Sequence, residues 1–144
     1  MGYRTYHNYG YGILVDAIKT TPERMENLLA LAPNYRKQIH DWFEECEITE
    51  PTMHDYREFD QEHYLGLATI LKEVIWEAEG IELLACDNFD GMDYLIYEPS
   101  YPWQISEKSM TLTEEKLADL FRKYVNILTD TPIVLDYQEV GNGG

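Results

Sequence analysis

Basic residues are scarce in this chain. Eleven Lys and Arg stand against twenty-seven Asp and Glu in 144 residues, a net charge of −16. Protein affinity for DNA or RNA comes largely from Lys and Arg neutralising phosphates, so direct nucleic-acid binding is not expected. Cysteine is limited to Cys46 and Cys86, far apart and in no Cys-x-x-Cys pattern, which reads as two buried free thiols in a reducing compartment rather than a disulfide framework. The four histidines, His7, His40, His54 and His63, show no i, i+4 pair of the kind that holds zinc on a helix. Long apolar runs are missing as well: nothing approaches the roughly 18 residues of a membrane span. The start, Met1-Gly2-Tyr3-Arg4-Thr5-Tyr6-His7, is polar and aromatic, unlike a signal peptide and a poor match to a myristoylation site. A cytoplasmic protein without membrane contact is the expectation.

Catalytic patterns are equally thin. The phosphate-binding Walker loop and the G-x-S-x-G elbow are absent, and Gly10 and Gly12 open a G-x-G-x-x-G that no third glycine completes. A Cys–His couple has no spacing to support it. Carboxylate pairs abound, but acid–base work needs two in unlike environments, which a sequence does not display. Asp87, Asp90 and Asp93 invite a calcium reading; aligning Gly91 with the invariant glycine of an EF-hand puts Cys86 first and Tyr97 twelfth, where carboxylates are required. A solvated turn is the ordinary use of that tip, with a non-EF Ca²⁺ loop or a partner contact as the alternatives. No catalytic residue, metal ligand or cofactor is assigned.

What the chain does have is a core. Hydrophobic residues make up 44% of it, with four Phe, twelve Tyr and three Trp, too rich for a disordered acidic tail. Residues 1–140 read as one domain, with 141–144 as a flexible tail. Tyr9 to Asp16 alternates Tyr9, Tyr11, Ile13 and Val15, a period of two that predicts a strand. Thr20 or Thr21 caps a helix carrying Met25, Leu28, Leu29 and Ala32; a second helix restarts at Pro33 with Tyr35, Ile39, Trp42, Phe43 and Cys46 on one side. Glu47 to Asp60 reads as a loop with about one helical turn. Gln61 to Glu79 is the clearest helix, with a stripe of Tyr64, Leu67, Ala68, Leu71, Val74, Ile75 and Ala78, and Gly80 as its cap. Ile81–Cys86 and Met92–Tyr97 predict a β-hairpin, its turn at Asp90-Gly91. A loop through Pro99 and Pro102 follows. Leu117, Leu120, Phe121, Tyr124 and Leu128 mark the fourth helix, and Thr131 to Val140 the last strand. The order β-α-α-α-β-β-α-β implies an α+β fold: a small, mostly antiparallel sheet with a central hairpin, packed by about four helices.

The charge is concentrated. Residues 44 to 98 carry sixteen carboxylates against Arg57 and Lys72, a net −14. A duplex presents about one negative charge per 1.7 Å of axis, and spaced carboxylates on one surface offer a comparable field to a site built for phosphate. Glu44, Glu45, Glu47, Asp55, Glu58, Asp60, Glu62, Asp87, Asp90 and Asp93 are therefore the expected partner-binding residues, with Tyr56, Phe59, Tyr101 and Trp103 as aromatic anchors. In size, charge placement and lack of catalytic motif, the chain resembles the small acidic inhibitors of phages and other mobile elements, the anti-CRISPR and anti-restriction proteins, some of which are DNA mimics. The resemblance implies stoichiometric docking on the basic nucleic-acid-binding surface of a nuclease or CRISPR effector. An immunity protein neutralising a nuclease toxin meets the same electrostatic description. A soluble acidic domain, with its carboxylates simply solvated, and a small enzyme are the readings to be weighed against both.

Overall fold

The computed structural model describes residues 5–58, 66–87, 93–97 and 114–143. In chain order the elements are β1 (Thr5–Leu14), a 3-10 turn (Val15–Ala17), α1 (Pro22–Leu29), α2 (Pro33–Glu45), α3 (Met53–Glu58), α4 (Gly66–Glu79), β2 (Leu84–Asp87), β3 (Asp93–Tyr97), α5 (Glu114–Leu128) and β4 (Asp136–Gly143). All pairings in the sheet are antiparallel, in the order β2-β3-β1-β4. The α+β architecture expected of the sequence is present, with the hairpin on one side of β1 and the C-terminal strand on the other.

Alternation builds the sheet. Ile13 lies opposite Leu95, and both point into the main core. One residue along, Ile96 belongs to the other face, where it packs with Cys86, Leu84 and Tyr94. Gly12 sits opposite Ile96, and a Cβ there would land on the Leu95 carbonyl oxygen, so the glycine permits a backbone approach that no other residue allows. The main core is closed by helical stripes: Met25, Leu28 and Leu29 from α1, Ile39 and Phe43 from α2, Leu71, Val74 and Ile75 from α4, Phe121, Tyr124 and Leu128 from α5.

Several boundaries differ from expectation. β1 begins at Thr5, and Val15 and Asp16 leave it for the 3-10 turn, where Asp16 Oδ2 accepts from the Asp93 N–H at 3.1 Å. The hairpin pairs Asp87 with Asp93 and Cys86 with Tyr94, so five residues separate the last pair. That register is one residue away from the pairing expected of a two-residue Asp90-Gly91 turn. β2 starts at Leu84, three residues after the expected Ile81. β4 starts at Asp136 instead of Thr131 and runs through Gly141, Asn142 and Gly143, read from sequence as tail, because β1 extends far enough to pair with them. Ala78 is exposed, and Thr69 and Ile70 are buried in its place on α4. Cys86 is buried as expected, whereas Cys46, at the end of α2, is exposed. Gln61 to Leu65 of the expected third helix, the Asp90-Gly91 dipeptide and the proline loop lie outside the described residues.

The helix ends explain how the acidic stretch is placed. Thr21 Oγ1 accepts from Arg24 N at 3.4 Å with Pro22 in the first helical position, so Thr21 and not Thr20 is the cap of α1. Ala32 precedes α2 and has no side chain to cap it. The carboxylate of Glu77 on α4 does this instead, accepting from Asn34 N at 3.0 Å and Tyr35 N at 2.9 Å. At its other end α2 closes with two reversed bonds, Glu47 N to the Glu44 carbonyl at 3.1 Å and Ile48 N to the Phe43 carbonyl at 2.8 Å. This is a Schellman motif, and the left-handed position that normally holds glycine holds Glu47 at φ 58°.

Candidate functional site

The Schellman turn ends α2, and the bend after it leads to α3 with Ile48 packed against the core on the way. Thr52 and Asp55 form a reciprocal capping box at the start of α3: Asp55 Oδ2 accepts from Thr52 N at 2.8 Å, and Thr52 Oγ1 accepts from Asp55 N at 3.3 Å. Tyr56 then packs edge-on against Phe43, ring centroids 5.1 Å apart, which fixes α3 on α2. Between them opens a cleft of about 430 Å³ with Phe43, Ile48, Pro51 and Tyr56 in its wall and Glu26, Glu44 and Glu47 as its acids.

At the cleft the carboxylate of Glu26 gathers three helices. Tyr56 OH donates to Oε2 at 2.6 Å, His40 Nε2 lies 2.8 Å from Oε1, and Arg36 Nη2 is 3.3 Å from the same oxygen. Burial pushes the Glu26 carboxyl up, but the hydrogen bonds from Tyr56 and His40 and the charges of His40 and Arg36 outweigh it and hold the group below the ordinary carboxylate value. Burial, reinforced by the neighbouring Glu26 carboxylate, pushes the Tyr56 hydroxyl far above an ordinary tyrosine. Three polar side chains thus converge at the cleft, as an enzyme pocket would require. They are bonded to one another, however, and both Glu26 oxygens are taken, which suits a strut between α1, α2 and α3.

Two sets stand out among the described acids from the middle of the chain. Glu77 caps α2, Asp55 caps α3, and Glu79 accepts from Lys123 Nζ at 2.9 Å and from Tyr124 OH at 2.7 Å. Burial, with Glu79 beside it, pushes the Tyr124 hydroxyl up as well. These carboxylates hold the fold. Glu44, Glu45, Glu47 and Glu50 form the other group: all four are exposed, and among the described residues none has a Lys or Arg partner within ion-pairing distance. Glu58, also exposed, stands 3.5 Å from His54 one turn back.

Of the residues singled out from sequence, Glu44 and Glu45 lie in the last turn of α2, Glu47 in the bend after it, and Asp55 and Glu58 on α3, with Glu44 and Glu47 lining one cleft. Asp93 lies on the hairpin opposite Asp87 and is partly buried. Asp60, Glu62, Asp90, Phe59, Tyr101 and Trp103 lie outside the described residues. Tyr56 is corrected: at 2% exposure, with its hydroxyl on Glu26, it is a core residue and offers no surface to a partner. Trp76 was overlooked. It stands 53% exposed on α4, lining a second groove of about 170 Å³ with Lys72, Glu73 and Glu82. The signal was available, since Trp76 follows Ile75 and so falls just off the apolar stripe, on the face of Lys72 and Glu73.

No helix among the described residues is long and apolar enough to cross a membrane, and no cluster of three His, Cys, Asp or Glu side chains among them is arranged to hold a metal ion. No family model, no curated protein and no solved structure matches the chain.

Proposed function

We propose that this protein is an acidic inhibitor that docks on the basic nucleic-acid-binding surface of a nuclease-type partner and keeps the nucleic acid out. The observation that carries the reading is the separation of its carboxylates: Glu77, Glu79, Asp55 and Glu26 are held in internal bonds, while Glu44, Glu45, Glu47 and Glu50 are left exposed and without a described cation beside them. An ordinary solvated acidic face needs no such concentration on one helix end and the bend that follows it. Exposed carboxylates raise the local negative potential, which speeds encounter with a basic groove and weakens as salt is added. Arg and Lys arranged for phosphates would meet Glu carboxylates in their place, with bidentate geometry where Arg is used.

The test is inhibition. The purified protein is titrated against a panel of DNA- and RNA-cleaving enzymes, CRISPR effectors, restriction enzymes and nuclease toxins included. Supporting behaviour is stoichiometric inhibition of at least one enzyme, competitive with its nucleic acid and weakened by raised salt. The variant carrying Glu44→Lys, Glu45→Lys, Glu47→Lys and Glu50→Lys should fold normally and lose that inhibition. Undiminished inhibition by the charge-reversed variant would sink the mimic reading.

A further inference from the structure

Trp76 is more than half exposed on α4, a helix that buries seven residues on its other sides. Its neighbours are chemically pointed. Glu73 lies three residues back on the same face, and Gly80, in the left-handed region at φ 70°, turns the chain so that Glu82 comes back to line the same groove. A flat, electron-rich indole bordered by two carboxylates attracts a flat cation: the ring face offers cation–π attraction and the carboxylates accept hydrogen bonds. An anion is repelled there, and a neutral apolar group would strip water from the carboxylates without replacing it.

We propose that this groove receives one arginine side chain of the basic partner, with its guanidinium stacked on the Trp76 indole and hydrogen-bonded by Glu73 and Glu82. Arginine suits it better than lysine because the guanidinium is planar, weakly hydrated and able to present two N–H groups to one carboxylate. The groove, at about 170 Å³, has room for a single long side chain and not for a folded peptide. Lys72 is the resident competitor. Its Nζ lies 4.0 Å from Glu73 Oε1, at the outer limit of an ion pair between two partly exposed side chains, so little is lost when a guanidinium displaces it. The site rests on the inhibitor reading only for the identity of the protein that donates the arginine.

The experiment follows the Trp76 indole N–H by NMR in the full chain, its resonance assigned by its loss in Trp76→Phe. The probe is a capped hexa-arginine peptide, with capped hexa-lysine as the comparison. The expected result is a saturable shift of this resonance with the arginine peptide and binding roughly three- to tenfold weaker with the lysine peptide, the range of an exposed to partly desolvated cation–π contact. Glu73→Gln/Glu82→Gln should weaken the arginine response, whereas Glu44→Gln/Glu45→Gln/Glu47→Gln/Glu50→Gln should leave the shift at saturation in place. A silent Trp76 resonance, or equal responses to both peptides that persist in Glu73→Gln/Glu82→Gln, overturns the proposal. The two readings fail separately: a shift at Trp76 without any enzyme inhibited keeps the arginine site and removes the inhibitor, and inhibition unaltered by Trp76→Ala does the reverse.

Discussion

Tyr56 donates its hydroxyl hydrogen to Glu26 Oε2 across 2.6 Å, joining α3 to α1 from thirty positions along the chain. A six-residue helix such as α3 is too short to persist on its own, so it depends on tertiary contacts such as this bond and the Tyr56–Phe43 packing. Tyr56→Phe should therefore destabilise the protein by about 1–2 kcal/mol, the range of a hydrogen bond to a charged group that is partly solvated. Chemical denaturation reads the loss, and amide exchange in Met53–Glu58 should rise by more than elsewhere.

The same pair sets a pH dependence. The Glu26 carboxyl is held below its ordinary value in the folded protein, so its contribution is present above the unfolded value, near 4.5, and is lost as pH falls through the folded value. Glu26→Gln should flatten the acid side of the stability profile below about pH 5. Tyr56 acts at the opposite end. Its hydroxyl titrates higher when folded than when unfolded, so its contribution is complete below the unfolded value of 10.0 and declines as pH rises above it. Urea midpoints measured from pH 3 to 11 for the native chain, Glu26→Gln and Tyr56→Phe check both limbs; parallel curves throughout would show that the pair is not linked to folding.

Glu77 supplies a cap that α2 lacks locally. Glu77→Ala leaves the Asn34 and Tyr35 N–H groups without their acceptor and should cost about 1–2 kcal/mol, the upper part of the range for a helix N-cap. Glu77→Gln keeps an acceptor but loses the charge at the positive end of the helix, so it should fall between the two. Thermal melts of the three proteins test that order, and native-like stability of Glu77→Gln would reduce the charge to a bystander.

Gly12→Ala should be the most damaging of the conservative changes. The added methyl meets the Leu95 carbonyl and the Ile96 Cα, both backbone atoms of the neighbouring strand, and neither yields without breaking the β1–β3 ladder. A loss of at least about 2 kcal/mol is expected, as for other substitutions that force buried backbone apart, and is measured by denaturant midpoint.

The helices were legible where one short window contains the cause. Met25, Leu28 and Leu29 on α1, and Leu117, Phe121 and Tyr124 on α5, carry spacing that needs no partner to be seen. The failures are places where the cause lies elsewhere in the chain. Tyr56 looks like a surface aromatic among acids until Glu26, thirty positions earlier, is found to receive its hydroxyl. Glu77 looks like one more solvated carboxylate until the uncapped end of α2 is placed against it. The hairpin register differs by one residue from the expected one, and the pairing of Leu84 with Ile96 and Ala85 with Leu95 sets it, because a one-residue slip would exchange the two faces of the hairpin. Charge per segment marked the acidic region correctly but carried no information on which carboxylates were already bonded.

Glu47 allows a test in which stability and binding move in opposite directions. It occupies the left-handed position at the end of α2, φ 58°, where a residue with a Cβ is strained by about 1 kcal/mol and glycine is not. Glu47→Gly should leave stability unchanged or raise it by up to about 1 kcal/mol, since the relief of strain is offset in part by the greater freedom of glycine in the unfolded chain. If the carboxylate at that position serves only to be solvated, nothing else changes. If it faces a basic partner, as proposed, inhibition weakens although the fold is as stable as before or more so. Denaturation midpoints and inhibition curves on the same preparation separate the outcomes, and full inhibition by a stabilised Glu47→Gly would remove this residue from the docking surface.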